Sequence, residues 1–72
     1  MNQGYLKRLR DKYPVGTRVM LVRMNDVQAP PVGTTGTVNH VDDMGTIHVN
    51  WENGSSLGLI PDSGDLFNVI PS

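Results

Sequence analysis

The sequence predicts a small, mainly β domain: five short antiparallel strands in a strongly bent sheet or barrel, preceded by a short N-terminal α-helix. Three observations carry that expectation. Short runs rich in β-branched and apolar residues recur between turn signals. No helix-length segment separates them, so the crossover connection a parallel sheet needs is missing. And Thr46-Ile47-His48-Val49-Asn50-Trp51 alternates strictly before Asn53-Gly54, the strongest short-range hairpin signal a sequence offers.

Residues 3–12 read as the helix. Tyr5, Leu6, Leu9 and Tyr13 recur at spacings of three and four and form one stripe, with the basic residues opposite. Pro14 disfavours helical geometry at Tyr13, so the helix ends there. At about ten residues it is marginal alone and must dock through Tyr5, Leu6 and Leu9. A turn at Val15-Gly16-Thr17 leads to a first strand at residues 18–24. Residues 25–35 hold Pro30-Pro31 and Gly33 with few apolar residues, a loop longer than a simple hairpin uses. The second strand spans residues 36–41 and turns at Asp42-Asp43-Met44-Gly45. The third spans 46–51, a fourth 56–60, and a short fifth 67–70 closes the set. No internal repeat, low-complexity segment or linker is expected.

Composition narrows the function classes. Seventy-two residues suit one domain and leave little room for an enclosed cleft. Without cysteine, neither a disulfide nor a thiolate zinc site supplies a staple. No apolar run approaches a membrane span of about 20 residues, and residues 1–15 lack the apolar centre of a signal peptide. A cytoplasmic protein with no membrane association is expected. Residues 1–12 carry four cations and one acid, a local charge of +3, while the rest carries two cations and six acids, or −4. An acidic body repels phosphate at long range, whereas the basic arm attracts it.

From Tyr13 to Phe67 the chain resembles a small SH3-like barrel. The resemblance rests on Gly16-Thr17-Arg18-Val19, Gly33-Thr34-Thr35-Gly36-Thr37-Val38 and Ile47-His48-Val49-Asn50-Trp51-Glu52-Asn53-Gly54 in that order. KOW-type ribosomal and transcription modules share this order. A closer likeness is to an uncharacterised family of short bacterial proteins, a domain of unknown function of the 4314 type. It is carried by Pro14-Val15-Gly16-Thr17-Arg18-Val19, by Gln28-Ala29-Pro30-Pro31-Val32-Gly33-Thr34 and by Gly54-Ser55-Ser56-Leu57-Gly58-Leu59-Ile60-Pro61. The resemblance implies an SH3-like barrel over residues 14–72 behind a basic amphipathic helix at 1–13. It also implies an origin on conjugative elements and phages of Gram-positive bacteria, and it assigns no catalytic residue.

In an SH3-like barrel the loop after the first strand and a later hairpin flank the ligand groove. Here that sets Asp26, Gln28, Pro30 and Pro31 near Trp51, Glu52, Asn53 and Ser55, which suits a protein or extended peptide. Trp51 also reads as core, since it shares parity with Ile47 and Val49, and core is preferred. The loop reads equally as a connector stiffened by its prolines. Lys7, Arg8, Arg10 and Lys12 form an alternative nucleic-acid contact, or more simply the solvated helix face.

His40 and His48 adjoin across a three-residue bulged turn and part across a two-residue one. With Asp42 and Asp43 they offer too few ligands for a structural zinc site, so no metal is expected. The aspartates at 42, 43, 62 and 65 sit in turns, where Asp bonds its own backbone, rather than paired about a pocket. No serine or threonine has an evident base, and no phosphate loop appears. The expectation is a non-enzymatic, cofactor-free module, monomeric or weakly dimeric, that binds a protein or peptide as an accessory factor of a mobile genetic element. Nucleic-acid binding, or inhibition of a host defence complex, is the alternative.

Overall fold

The computed structural model describes residues 2–71; Met1 and Ser72, the outer ends of the expected arm and β unit, lie outside the described residues. Helix α1, Gln3–Lys12, coincides with the expected one. Asn2 starts it, its side-chain oxygen accepting from the Tyr5 amide at 3.2 Å and satisfying one otherwise orphaned donor. Leu6 and Leu9 are buried, and Tyr5 and Tyr13 pack against the core. The stripe read from the sequence is therefore the docking face.

Four strands form one antiparallel sheet: β1 Arg18–Arg23, β2 Thr35–Val41, β3 Ile47–Trp51 and β4 Leu66–Ile70, in the order β3-β2-β1-β4. A 3-10 turn at Pro61–Ser63 leads into β4. The expectation of five strands is corrected here. Residues 56–60 contribute a single bridge, Leu59 to Ile47, rather than a strand. Local side-chain bonds take the backbone out of the ladder: the Ser55 amide donates to Asn53 Oδ1 at 3.1 Å and the Leu57 amide to Ser55 Oγ at 3.3 Å. The Leu57 carbonyl is taken by the Trp51 indole, and Pro61 has no amide to offer.

One short turn motif is used twice. Pro-Val-Gly-Thr occurs at residues 14–17 and again at 31–34, and both copies form the same turn. In each the Thr amide donates to the Pro carbonyl at 3.0 Å, and the glycine, Gly16 at φ 93° or Gly33 at φ 91°, takes the left-handed conformation of a type II turn. The following strands then pair with each other. Gly16 donates to the Val38 carbonyl and Val38 to Thr17; Gly33 donates to Leu21 and Leu21 to Thr34. The β1–β2 ladder is thus bracketed by one turn used twice, in a local two-fold arrangement.

Bulges between Leu21 and Arg23 and between Val38 and His40 bend the sheet. The second allows Val38 and Val41 both to face inward. With Val19, Leu21, Ile47, Val49, Trp51, Leu59 and Leu9 they make one apolar core. Gly36 lies opposite Trp51 in the β2–β3 register. A Cβ at Gly36 would stand 2.6 Å from Val49 Cγ1, 2.9 Å from the Asn50 carbonyl oxygen and 2.9 Å from Trp51 Cε3. Gly36→Ala is expected to lower the unfolding free energy by about 2–3 kcal/mol through overpacking. Urea denaturation checks this; an unchanged midpoint would show that the Trp51 contact yields freely.

Candidate functional site

Trp51 is 3% exposed, and its indole Nε1–H donates to the Leu57 carbonyl at 2.8 Å. Both its face and its polar handle are used internally. As a ligand-contacting residue it is withdrawn: the core reading holds, because β3 parity turns Ile47, Val49 and Trp51 to the same side.

The long loop is ordered by its own bonds. Asp26 Oδ1 accepts from the Gln28 amide at 2.7 Å, and its carbonyl accepts from the Ala29 amide at 3.0 Å. The second Pro-Val-Gly-Thr turn closes the far end. Pro30 is buried and anchors the middle, whereas Asp26, Gln28 and Pro31 are exposed. Val27 is fully exposed and Val32 is 73% exposed. Neither valine was singled out from the sequence. The signal was present, in an uncharged run Val27-Gln28-Ala29-Pro30-Pro31-Val32 with no strand or helix period to bury its apolar members.

The hairpin at Glu52, Asn53 and Ser55 meets the loop only where the loop ends. The Glu52 amide donates to the Thr35 carbonyl at 2.9 Å, one residue past the Pro-Val-Gly-Thr turn. Among the described residues no hydrogen bond or ion pair joins Asp26 or Gln28 to the hairpin. Glu52 is drawn instead to the outer face of the sheet. Arg18 Nη2 lies 3.3 Å from Glu52 Oε1, while Nη1 donates to Thr37 Oγ1 at 2.8 Å. Arg18, Thr35 and Thr37 all take the outward parity of β1 and β2, which brings this polar cluster together.

At the other end of the sheet the three-residue bulged turn forms, the Gly45 amide donating to the Asp42 carbonyl at 3.1 Å. His40 therefore pairs with His48, the rings stacked with centroids 4.3 Å apart and 7° between planes. His48 Nε2–H donates to Asp42 Oδ2 at 2.7 Å. Asp42 Oδ1 accepts from the Met44 and Thr46 amides at 2.9 and 3.0 Å. The His48 bond, and next the Thr46 amide, hold the Asp42 carboxyl below its ordinary value of 3.8. Among the described residues no cluster of three or more metal-ligating groups is present.

The basic arm divides. Lys7 pairs with Asp11 at 2.8 Å along the helix, and Arg10 reaches Asp43 at 2.8 Å and the Val41 carbonyl at 3.2 Å. Arg8 and Lys12 make no ion pair with any described residue. No helix among the described residues is long and apolar enough to cross a membrane.

These features define a small, mainly β domain with one short N-terminal helix. The pattern of the family described as a domain of unknown function (DUF4314) matches residues 2–70, and the chain belongs to that family. No curated protein and no solved structure matches the chain.

Asp42 makes the turn acid-sensitive. Because its folded pKa is depressed, the stability it contributes is present above the ordinary carboxylate value and is lost as pH falls through the lowered folded value. Below about pH 4, amide exchange at Met44 and Thr46 is expected to quicken ahead of the core strands. Asp42→Asn, which keeps an acceptor but cannot titrate, is expected to remove that pH dependence. If the dependence persists in the variant, another carboxylate controls the turn. Asp42→Ala is expected to cost about 1 kcal/mol in thermal or urea unfolding.

Proposed function

We propose that this chain is a non-enzymatic SH3-like module that binds a protein or extended peptide in the cytoplasm, as an accessory factor of a mobile genetic element. The barrel reading is supported by the two bulges, by the Ile47–Leu59 bridge that extends the sheet beyond β3, and by the 3-10 turn entering β4. The mobile-element context rests on the family resemblance alone.

One observation carries the binding reading. The loop at residues 25–32 is held by internal hydrogen bonds and a buried proline, yet it projects Val27 and Val32 into solvent beside Pro31 and Gln28. A floppy loop would lose conformational freedom on binding. This one is already ordered, so little of its interaction energy goes to ordering. Exposed valines scattered singly are ordinary, but here two stand on one loop ordered by its own hydrogen bonds, and each offers apolar area for burial against a partner. Pro31 and Val32 continue into β2, where Glu52, Asn53 and Ser55 border the same end of the sheet.

The nucleic-acid alternative is less well supported, since two of its four cations are engaged by Asp11 and Asp43. It requires affinity that falls steeply with salt.

Val27→Asp is expected to leave folding stability within about 0.5 kcal/mol, as an exposed substitution. The same change should reduce by about tenfold the partner retained by the immobilised protein from nuclease-treated host lysate. The combined change of Asp26, Gln28 and Pro31 to alanine is expected to act in the same direction. Undiminished retention by both variants would remove the loop as the contact, and retention abolished by nuclease would favour nucleic acid.

A further inference from the structure

A second surface lies between α1 and the 3-10 turn. A groove of about 340 Å3 is lined by Tyr5, Arg8, Leu9, Lys12, Tyr13 and Pro61. Its floor is apolar and aromatic: two tyrosine rings, Leu9 and the proline. The floor is firm, because Leu9 belongs to the core and Tyr13 packs edge-on against Phe67 of β4 with centroids 5.2 Å apart. Arg8 and Lys12 stand at its border, four residues apart and so on one side of the helix.

No carboxylate among the described residues pairs with the charge at that border. Lys7, Arg10 and Arg18 each have a carboxylate partner, whereas Arg8 and Lys12 have none among the described residues. Lys12 Nζ instead lies 5.5 Å from the centre of the Tyr13 ring. Asp62 follows Pro61 in sequence but pairs with neither cation. The groove thus combines an aromatic floor with two positive charges unpaired among the described residues, on the one basic segment of an otherwise acidic chain.

We propose that this groove receives an acidic peptide segment carrying an aromatic or large apolar side chain. That side chain would rest on Tyr5, Tyr13 and Pro61, and the flanking carboxylates would meet Arg8 and Lys12. The scale fits a peptide better than a polynucleotide. Four helical residues advance about 6 Å, close to the ~6.6 Å between alternate residues of an extended peptide. A phosphate backbone needs a longer track of cations, and the charge of −4 outside the arm repels a polyanion. This surface is independent of the loop at residues 25–32, so either can fail without the other.

The test uses the full chain and two synthetic peptides, each with a central tryptophan, one flanked by glutamates and one by lysines. The glutamate peptide is expected to bind and to shift the NMR signals of Tyr5, Leu9, Tyr13 and Pro61, with the Val27 loop unmoved. The lysine peptide is expected not to bind. Arg8→Glu with Lys12→Glu should weaken the glutamate peptide by about tenfold or more and flatten its salt dependence. If that variant does not fold, Arg8→Gln with Lys12→Gln makes the same comparison and should weaken binding in the same direction. Equal binding of the two peptides, or shifts confined to the loop, would overturn the proposal. So would a single-stranded oligonucleotide that displaces the glutamate peptide from these residues, or self-association through Arg8 and Lys12 that excludes it.

Discussion

The close approach of Trp51 to Gly36 organises the rest of this molecule. The two residues oppose each other across β2 and β3, and the indole occupies the space a side chain at position 36 would need. Having no solvent face, the ring must satisfy its one donor internally, and it does so on the Leu57 carbonyl. That bond commits residues 55–58 to curl over the end of β3 rather than extend beside it. Leu59 is thereby delivered to Ile47, closing the core with one bridge in place of a fourth hairpin strand. A single buried aromatic ring sets both the local strand spacing and the path of the chain after the turn.

Around that contact, apolar burial outweighs the visible charge pairs. Leu6, Leu9 and the packed tyrosines hold α1 to the sheet, and fully burying one leucine contributes about 1.5–3 kcal/mol. The pair of Lys7 with Asp11 is exposed on both sides and belongs to a class worth at most about 1 kcal/mol. Arg10 contributes orientation as well as charge, because its guanidinium reaches both Asp43 and the Val41 carbonyl and so fixes the helix over one end of β2. Cations that look alike in sequence therefore differ in availability. Arg10 is engaged beyond the helix and Lys7 within it, whereas Arg8 and Lys12 have no ion-pair partner among the described residues.

The result is a domain whose two proposed contact surfaces rest on different physics. The loop presents small apolar side chains on a frame ordered by Asp26 and by the second Pro-Val-Gly-Thr turn, with little charge. The helix groove presents aromatic area bordered by positive charge. Neither needs a deep cavity, which suits a chain of this size.

The alternation of residues 46–51, the helical stripe and the turn residues were legible from the chain alone, because each depends on neighbours two to four positions apart. Helix α1 matched its expected span, and the strands at β1, β2, β3 and β4 fell within a residue of theirs. The core role of Trp51 was legible too, from parity. What lay beyond reach involved partners far apart in sequence. Whether residues 56–60 pair as a strand depended on where the Trp51 donor found an acceptor. The stacking of His40 on His48 depended on a bulge as well as on the turn. The equivalence of the two Pro-Val-Gly-Thr turns is written openly in the sequence, yet its meaning appears only when β1 and β2 pair around it. Which cations remain free was decided by Asp11 and Asp43, and the second of these meets Arg10 only after folding. Sequence determined the periodicities and turns, and with them the faces that are buried, because these are local; tertiary structure decided the strand bridge, the bulges and the Arg10–Asp43 pair, because these join groups that only folding brings together.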